Sequence, residues 1–256
     1  LLKCNDILCC YYNNLLVADK YLMVSIINSE IKLVNQLSKK ILKNYNNQYP
    51  KPFESFNGNV VESYLENILF LAADTLRSRC YAQTLLKSGF KLSECIVVSS
   101  SKENKLGQSK QSIESNISSR YSINIDLEIP LLDTLQKIAS NIQIIDSGTV
   151  NSDEIINNIK SLNSKFIIYS GFGGEIVSER LLKTNVPFLH MHAGWLPDYR
   201  GSTTSYYSVL RDGFAGVSAI LLSSKIDEGN VVARKRYSPP LEGSNWDYEY
   251  DSLIRS

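Results

Sequence analysis

The stretch FLHMHAGWLPDYRGSTTSYYSVLRDGFAGVSAILLSSKIDEGNVV, from Phe188 to Val232, decides how the chain is read. It holds both histidines of the protein, His190 and His192, at the end of a short apolar run. Side chains alternate across a strand, so positions i and i+2 share a side. A parallel strand ending in two such residues presents them at its carboxyl edge, where open α/β sheets bind ligands. A turn-forming loop follows (Leu196-Pro197-Asp198-Tyr199-Arg200-Gly201), then a second apolar run, then Asp227 in an Asp-Glu-Gly turn. A histidine pair, an anion-binding loop and a carboxylate in one stretch mark a site.

Outward from that stretch, strands and helices alternate, the pattern of a parallel sheet with crossover helices. Short apolar runs predict strands over residues 67–72, 95–99, 142–145 and 166–170, the last closed by Gly171-Phe172-Gly173-Gly174. Helical spacing predicts helices over 75–88, 131–140 and 152–161, the third capped by Ser152 or Asn151. Pro187 opens the strand to His192, 202–211 reads as a helix and 217–222 as a further strand. Residues 100–120 read as a polar, irregular loop. The expected fold is α/β and Rossmann-like: a mostly parallel sheet with helices on both faces, each crossover a repeat of the same βαβ unit.

Ahead of this domain, Ile27, Ile31, Val34, Leu37 and Ile41 recur at helical spacing, predicting one amphipathic helix over 19–45. Residues 46–59, with Pro50, Pro52 and Gly58, have linker chemistry. The expected plan is a helical appendage and linker over 1–60, a catalytic α/β domain over 61–240, and the start of a C-terminal extension over 241–256.

Composition sets mild limits. The 256 residues carry a formal net charge of +1, from 27 basic and 26 acidic side chains, so a polyanion-binding surface is not indicated. The five cysteines, at 4, 9, 10, 80 and 95, form no CxxC pair and are odd in number. That argues against a disulfide framework or a structural zinc site and suits a cytoplasmic location. No apolar run reaches the roughly 18 residues that a membrane span needs. The chain begins at Leu1 rather than Met, so a fragment is expected, and a targeting peptide would have left no trace.

The glycines do not support a dinucleotide site. The first strand leads into Ala73-Asp74-Thr75-Leu76-Arg77-Ser78, with no glycine to let main chain approach a pyrophosphate. The later Gly171-Phe172-Gly173-Gly174-Glu175-Ile176 fails G-x-G-x-x-G at position 176. Those glycines either admit a ligand close to main-chain groups or make a tight turn. The histidines leave two chemistries open. In one, Asp227 orients the imidazole of His192 for proton transfer during attack on an acyl carbon. In the other, His190-x-His192 is half of a metal site completed by carboxylates, because a catalytic zinc needs about three protein ligands.

From about residue 168 to 232 the chain resembles the catalytic core of the folate-dependent formyltransferases, which act on glycinamide ribonucleotide, initiator methionyl-tRNA and nucleotide-linked amino sugars. Gly171-Phe172 matches the family's Gly-aromatic loop and His192 its catalytic histidine. Leu196 to Gly201 matches the Leu-Pro-x-Tyr-Arg-Gly loop, and Asp227-Glu228-Gly229 the acidic turn about 35 residues beyond the histidine. The resemblance weakens back to about residue 65. One departure stands out: His190 occupies the place of an asparagine that donates a hydrogen bond to the formyl oxygen. An imidazole can donate one such bond if its tautomer is right, whereas loss of an oxyanion donor costs about 10²–10³ in rate.

The resemblance implies formyl transfer from 10-formyltetrahydrofolate to a primary amine, with no metal. His192, Asp227 and His190 would be catalytic. Gly171, Phe172, Gly173, Gly174, Ile176, Ser223, Ser224 and Ile226 would bind the folate, and Tyr199, Arg200 and Gly201 would border the acceptor. The 201–207 segment, Gly-Ser-Thr-Thr-Ser-Tyr-Tyr, resembles relatives linked to surface-sugar biosynthesis, which favours a small amino-sugar acceptor over nucleic acid. No membrane partner is expected, and a homodimer is allowed. The alternatives are methionyl-tRNA or glycinamide ribonucleotide formylation, hydrolysis of the folate, and an inactive homologue that binds folate or a sugar nucleotide.

Overall fold

The structure, a computed structural model, describes residues 62–100, 125–241 and 245–256. All of these belong to the compact unit spanning 47–256. The amphipathic helix and linker expected before residue 60, and all of the 100–120 loop except Ser100, lie outside the described residues.

The described residues build a seven-stranded sheet in the order β3-β2-β1-β4-β5-β6-β7. Its strands are β1 (Ser63–Ala73), β2 (Phe90–Ser99), β3 (Ala139–Asp146), β4 (Phe166–Ser170), β5 (Phe188–His192), β6 (Ala215–Leu221) and β7 (Asn230–Tyr237). The helices are α1 (Leu76–Lys87), α2 (Leu131–Ile138), α3 (Asp153–Ser161), α4 (Glu179–Leu182) and α5 (Thr204–Asp212). A π-helical turn, Trp246–Tyr250, continues into α6 (Asp251–Arg255).

The alternation of each central strand divides its apolar side chains between two cores. Leu69 and Leu71 of β1, Ile96 and Val98 of β2, and Phe188 of β5 pack on one face with Ile155, Ile156 and Ile159 of α3. Phe70, Ala72, Cys95 and Val97 pack on the other with Tyr81 of α1 and Leu131, Leu135 and Ile138 of α2. Each fully buried Leu, Ile, Val or Phe among them contributes about 1.5–3 kcal/mol, so the sheet is fixed from both sides. Local chemistry sets the helix starts. Thr75 caps α1 by accepting from the Ser78 N–H, and Ser152 caps α3 by accepting from the Ile155 N–H.

Two features differ from the sequence reading. The β5-to-β6 connection is not a parallel crossover, because β6 pairs antiparallel with β5, His192 opposite Ser218. The reason lies in the loop between them. Thr204, at the start of α5, donates to the Ala193 carbonyl, so the helix begins beside the end of β5. The Ser218 hydroxyl donates to Gly194 O at 2.7 Å, drawing the next strand back in from that same carboxyl edge. The second feature is β7, antiparallel to β6 at the sheet edge, which apolar periodicity did not reveal. Its sequence, NVVARKRY, is exposed along all but its last residue and has no apolar face to read.

Candidate active site

β5 delivers His192 to the carboxyl edge, where it is 6 % exposed. Its Nδ1 lies 3.2 Å from Asp227 Oδ1, and its Nε2 lies 2.8 Å from the Tyr199 carbonyl oxygen. Asp227 reaches the ring from the loop after β6, in a left-handed conformation with φ of 54°, which aspartate tolerates better than most residues. Its second oxygen accepts from the Gly201 N–H at 2.7 Å. Burial pushes the Asp227 carboxyl up. The hydrogen bonds from His192 and Gly201, with the two imidazoles close by, outweigh that and hold its pKa below the usual carboxylate value.

Gly194 makes this packing possible. A Cβ there would stand 2.5 Å from His192 Nε2, 2.8 Å from Thr204 Oγ1, and closer still to the Tyr199 carbonyl. The loop is also tied by the Leu196 N–H, which donates to Ser218 Oγ at 3.0 Å, and by Arg234 Nη1, which donates to Leu196 O at 2.8 Å. Both neighbours of His192 accept hydrogen bonds, and a neutral imidazole carries one proton. With that proton on Nδ1 toward Asp227, the Nε2 lone pair is a base but faces the Tyr199 carbonyl.

His190 sits beside Tyr169 of β4, their ring centroids 5.8 Å apart. Its Nε2 lies 3.4 Å from Arg255 Nη2, while Nδ1 is enclosed with no hydrogen-bond partner among the described residues. Burial, then the charges of Arg255 and Arg77, hold this imidazole well below its ordinary pKa, so the ring is neutral. The Tyr169 hydroxyl is likewise enclosed and unpartnered among the described residues.

The Gly171–Ile176 segment leaves the end of β4 under tight control. Arg77 Nη2 donates to Gly171 O at 2.5 Å and Arg77 Nε to Ser170 Oγ at 3.3 Å. Burial and the nearby Arg255 guanidinium lower the Arg77 pKa to about 10, which still leaves it charged at neutral pH. A Cβ on Gly171 would lie 2.5 Å from Tyr169 Cζ, so only glycine fits. Gly173 and Gly174 instead have nothing within 4 Å of where a Cβ would stand, leaving main chain open to a flat ligand. Glu175 anchors the loop by accepting from Thr149 Oγ1 at 2.5 Å and Val150 N at 2.9 Å.

Phe172 and Leu222 both pack on the first core, so the loops after β4 and β6 lie on one face of the sheet. Ile176 and Ile226, on those two loops, are 63 % and 61 % exposed despite being apolar. Ser223 turns its hydroxyl into its own loop, donating to Lys225 O at 3.0 Å, and Ser224 is exposed. Of the residues expected to border the acceptor, Tyr199 is buried with its hydroxyl donated to Asp212, so its main chain faces His192. Arg200 is paired with Glu228 at 2.9 Å, and Gly201 holds Asp227.

The formyl transferase family model matches residues 66–239, about two thirds of the chain. The chain belongs to the formyl transferase family. Among curated relatives, methionyl-tRNA formyltransferase of Finegoldia magna is 33% identical over 94 residues, 36% of this chain and 30% of the relative. That of Nitratiruptor sp. is 25% identical over 154 residues, 60% of this chain and 46% of the relative. The match to these relatives thus spans between about a third and a half of their length. Phosphoribosylglycinamide formyltransferase from Streptococcus pneumoniae aligns with a TM-score of 0.46 at 13% identity, covering 73% of this chain and 91% of that one. A sugar N-formyltransferase from Shewanella sp FDAARGOS_354 aligns with a TM-score of 0.41 at 18% identity, covering 73% and 62%.

Sequence reasoning named His192, Asp227 and His190, and the structure brings all three to one place. It missed Gly194, Ser218, Arg77 and Arg255. Only Gly194 carried a sequence signal, as a glycine two residues after the histidine.

Proposed function

We propose that this site transfers a formyl group from 10-formyltetrahydrofolate to a primary amine, and that the amine belongs to a nucleotide-linked amino sugar. The observation that carries the reaction is the contact of His192 Nδ1 with Asp227 Oδ1, formed at the carboxyl edge of the sheet. The residues fit a folate. Open main chain at Gly173 and Gly174, with Ile176 and Ile226 exposed, suits a flat heteroaromatic ring, and the unpartnered His190 Nδ1 suits a carbonyl oxygen.

When bound, the folate supplies an electrophilic formyl carbon. Asp227 keeps a proton on His192 Nδ1, leaving Nε2 to receive a proton from the attacking amine. Negative charge then gathers on the formyl oxygen, where His190 offers an uncharged donor and the protonated His192 a charged one. As the carbonyl re-forms, the bond from the formyl carbon to the folate nitrogen breaks, and His192 gives the proton it took from the amine to that leaving nitrogen. A metal at the histidine pair is disfavoured by the Arg255 guanidinium 3.4 Å from His190 Nε2, because a cation would meet a fixed positive charge there.

The acceptor reading rests on the turn after β1. Thr75 Oγ1 already satisfies the Ser78 N–H, and the Arg79 guanidinium is paired with Asp74 at 3.0 Å. That turn is therefore poorly suited to a ribonucleotide phosphate. The test is to mix the protein with 10-formyltetrahydrofolate and separately with an amino-sugar nucleotide, glycinamide ribonucleotide or methionyl-tRNA, then look for one added formyl mass. Addition to the amino sugar alone is expected. Addition only to another acceptor would overturn the acceptor, and formate release without any acceptor would make the protein a hydrolase.

A further inference from the structure

Unlike an amide, a neutral imidazole donates from one nitrogen only, so a histidine donor works only when its tautomer is chosen. The structure contains a group placed to choose it. Arg255 Nη2 lies 3.4 Å from His190 Nε2. A guanidinium has donors and no acceptor, so Nε2 must present its lone pair in this contact. The single proton of the neutral ring then sits on Nδ1, the nitrogen that is enclosed and unpartnered among the described residues.

Arg255 is held in place by two partners. Its Nε donates to the Met191 carbonyl at 2.8 Å, which fixes it to the strand that carries His190. Its Nη1 pairs with Asp251 Oδ2 at 3.0 Å, one turn back on α6, and its side chain is only 10% exposed. Burial works against its charge, but Asp251, with Tyr81 beside it, more than offsets that, and its pKa is raised. The guanidinium is therefore a permanent donor. An enclosed N–H with no acceptor costs about 1–3 kcal/mol, which is recovered when the packing over it opens to admit an acceptor oxygen.

We propose that Arg255 is a positioning residue that holds the proton of His190 on Nδ1, reserving that N–H for the formyl oxygen of the donor. The proposal rests on the formyl-transfer reading above. It extends the working site to α6, which lies beyond residues 66–239 of the family match.

The test uses the full chain labelled with ¹⁵N-histidine, which reports two rings only, assigned with His190→Asn. Two-bond ¹⁵N–¹H correlation near neutral pH should show the Nδ1–H tautomer for His190 in the parent protein and its loss or mixing in Arg255→Met. In steady-state assays, Arg255→Met should lower kcat by about 10-fold or more, toward the 10²–10³ typical of a lost oxyanion donor. KM for the folate should change little, and in a His190→Asn background the same substitution should alter kcat by less than about 2-fold. An Nε2–H tautomer in the parent protein overturns the proposal whether or not any variant folds. So does an unchanged tautomer in Arg255→Met, or an equal loss of kcat in the His190→Asn background. If the tautomer responds to Arg255 but no acceptor is ever formylated, the tautomer assignment is supported and the formyl-transfer reading falls.

Discussion

Replacing Gly194 by alanine should damage both stability and catalysis, by amounts the packing sets. The added Cβ would stand 2.5 Å from His192 Nε2 and 2.8 Å from Thr204 Oγ1, and closer still to the Tyr199 carbonyl, where ordinary contact begins near 3.4 Å. None of the three can yield freely. Thr204 is bonded to Ala193 O, Tyr199 is tied through its hydroxyl to Asp212, and His192 is held by Asp227. Overpacking of this kind costs about 1–3 kcal/mol, and displacing the imidazole from its hydrogen bond with Asp227 adds about 1 kcal/mol. For a domain of this size, about 2–4 kcal/mol corresponds to a fall in Tm of roughly 4–16 °C. Moving the imidazole by about 1 Å should also lower kcat on the order of 10²-fold. Calorimetry and turnover of Gly194→Ala would measure both. The stability control is Gly173→Ala, where nothing lies within 4 Å of the new Cβ. A Tm within about 2 °C of the parent with undiminished turnover would refute the packing argument.

The other predictions concern the ionisable groups. His192→Ala and Asp227→Asn should each lower kcat by about 10²–10⁴, and the double variant should be little worse than the poorer single one, because the pair acts as a unit; additive losses would separate their roles. Burial, with the charges of Arg255 and Arg77, depresses the His190 pKa. As pH falls below the unfolded value of about 6.5, the unfolded chain takes up a proton that the folded chain refuses. Stability should therefore drop by up to about 1.4 kcal/mol per pH unit until the folded pKa is reached. Urea unfolding between about pH 5 and 7 should show this slope in the parent and not in His190→Asn, and a pH-independent difference between the two would contradict it. Chelation should leave turnover unchanged, whereas stoichiometric zinc in the purified protein with activity lost on chelation would restore the metal-site reading.

The sequence showed the fold's centre better than its rim. The strands carrying Leu69, Ile96, Ile167 and Phe188 are apolar runs because both faces of a parallel sheet are covered, and caps such as Ser152 are local chemistry. The edge strand β7 was illegible because Arg234, Lys235 and Arg236 lie on an exposed rim where no periodicity is imposed. The direction of β6 was missed because it depends on the Thr204–Ala193 and Ser218–Gly194 bonds, which no spacing rule encodes. At the site, residue type and order exposed His192 and Asp227. The Tyr199 carbonyl on His192 is a main-chain contact to which residue identity is blind, and Arg255 stands 65 residues from His190, brought near only by folding.

The central claim is that His192, held by Asp227, moves a formyl group from a folate to an amine. It is tested most directly by single turnover with 10-formyltetrahydrofolate labelled with ¹³C in the formyl carbon, in the presence of an amino-sugar nucleotide. The parent protein should move the label onto the sugar amine, visible as a new amide-type formyl resonance and one added formyl mass, and His192→Ala should leave it on the folate. Label that stays on the folate with the parent protein, or that moves equally well in His192→Ala, would contradict the account.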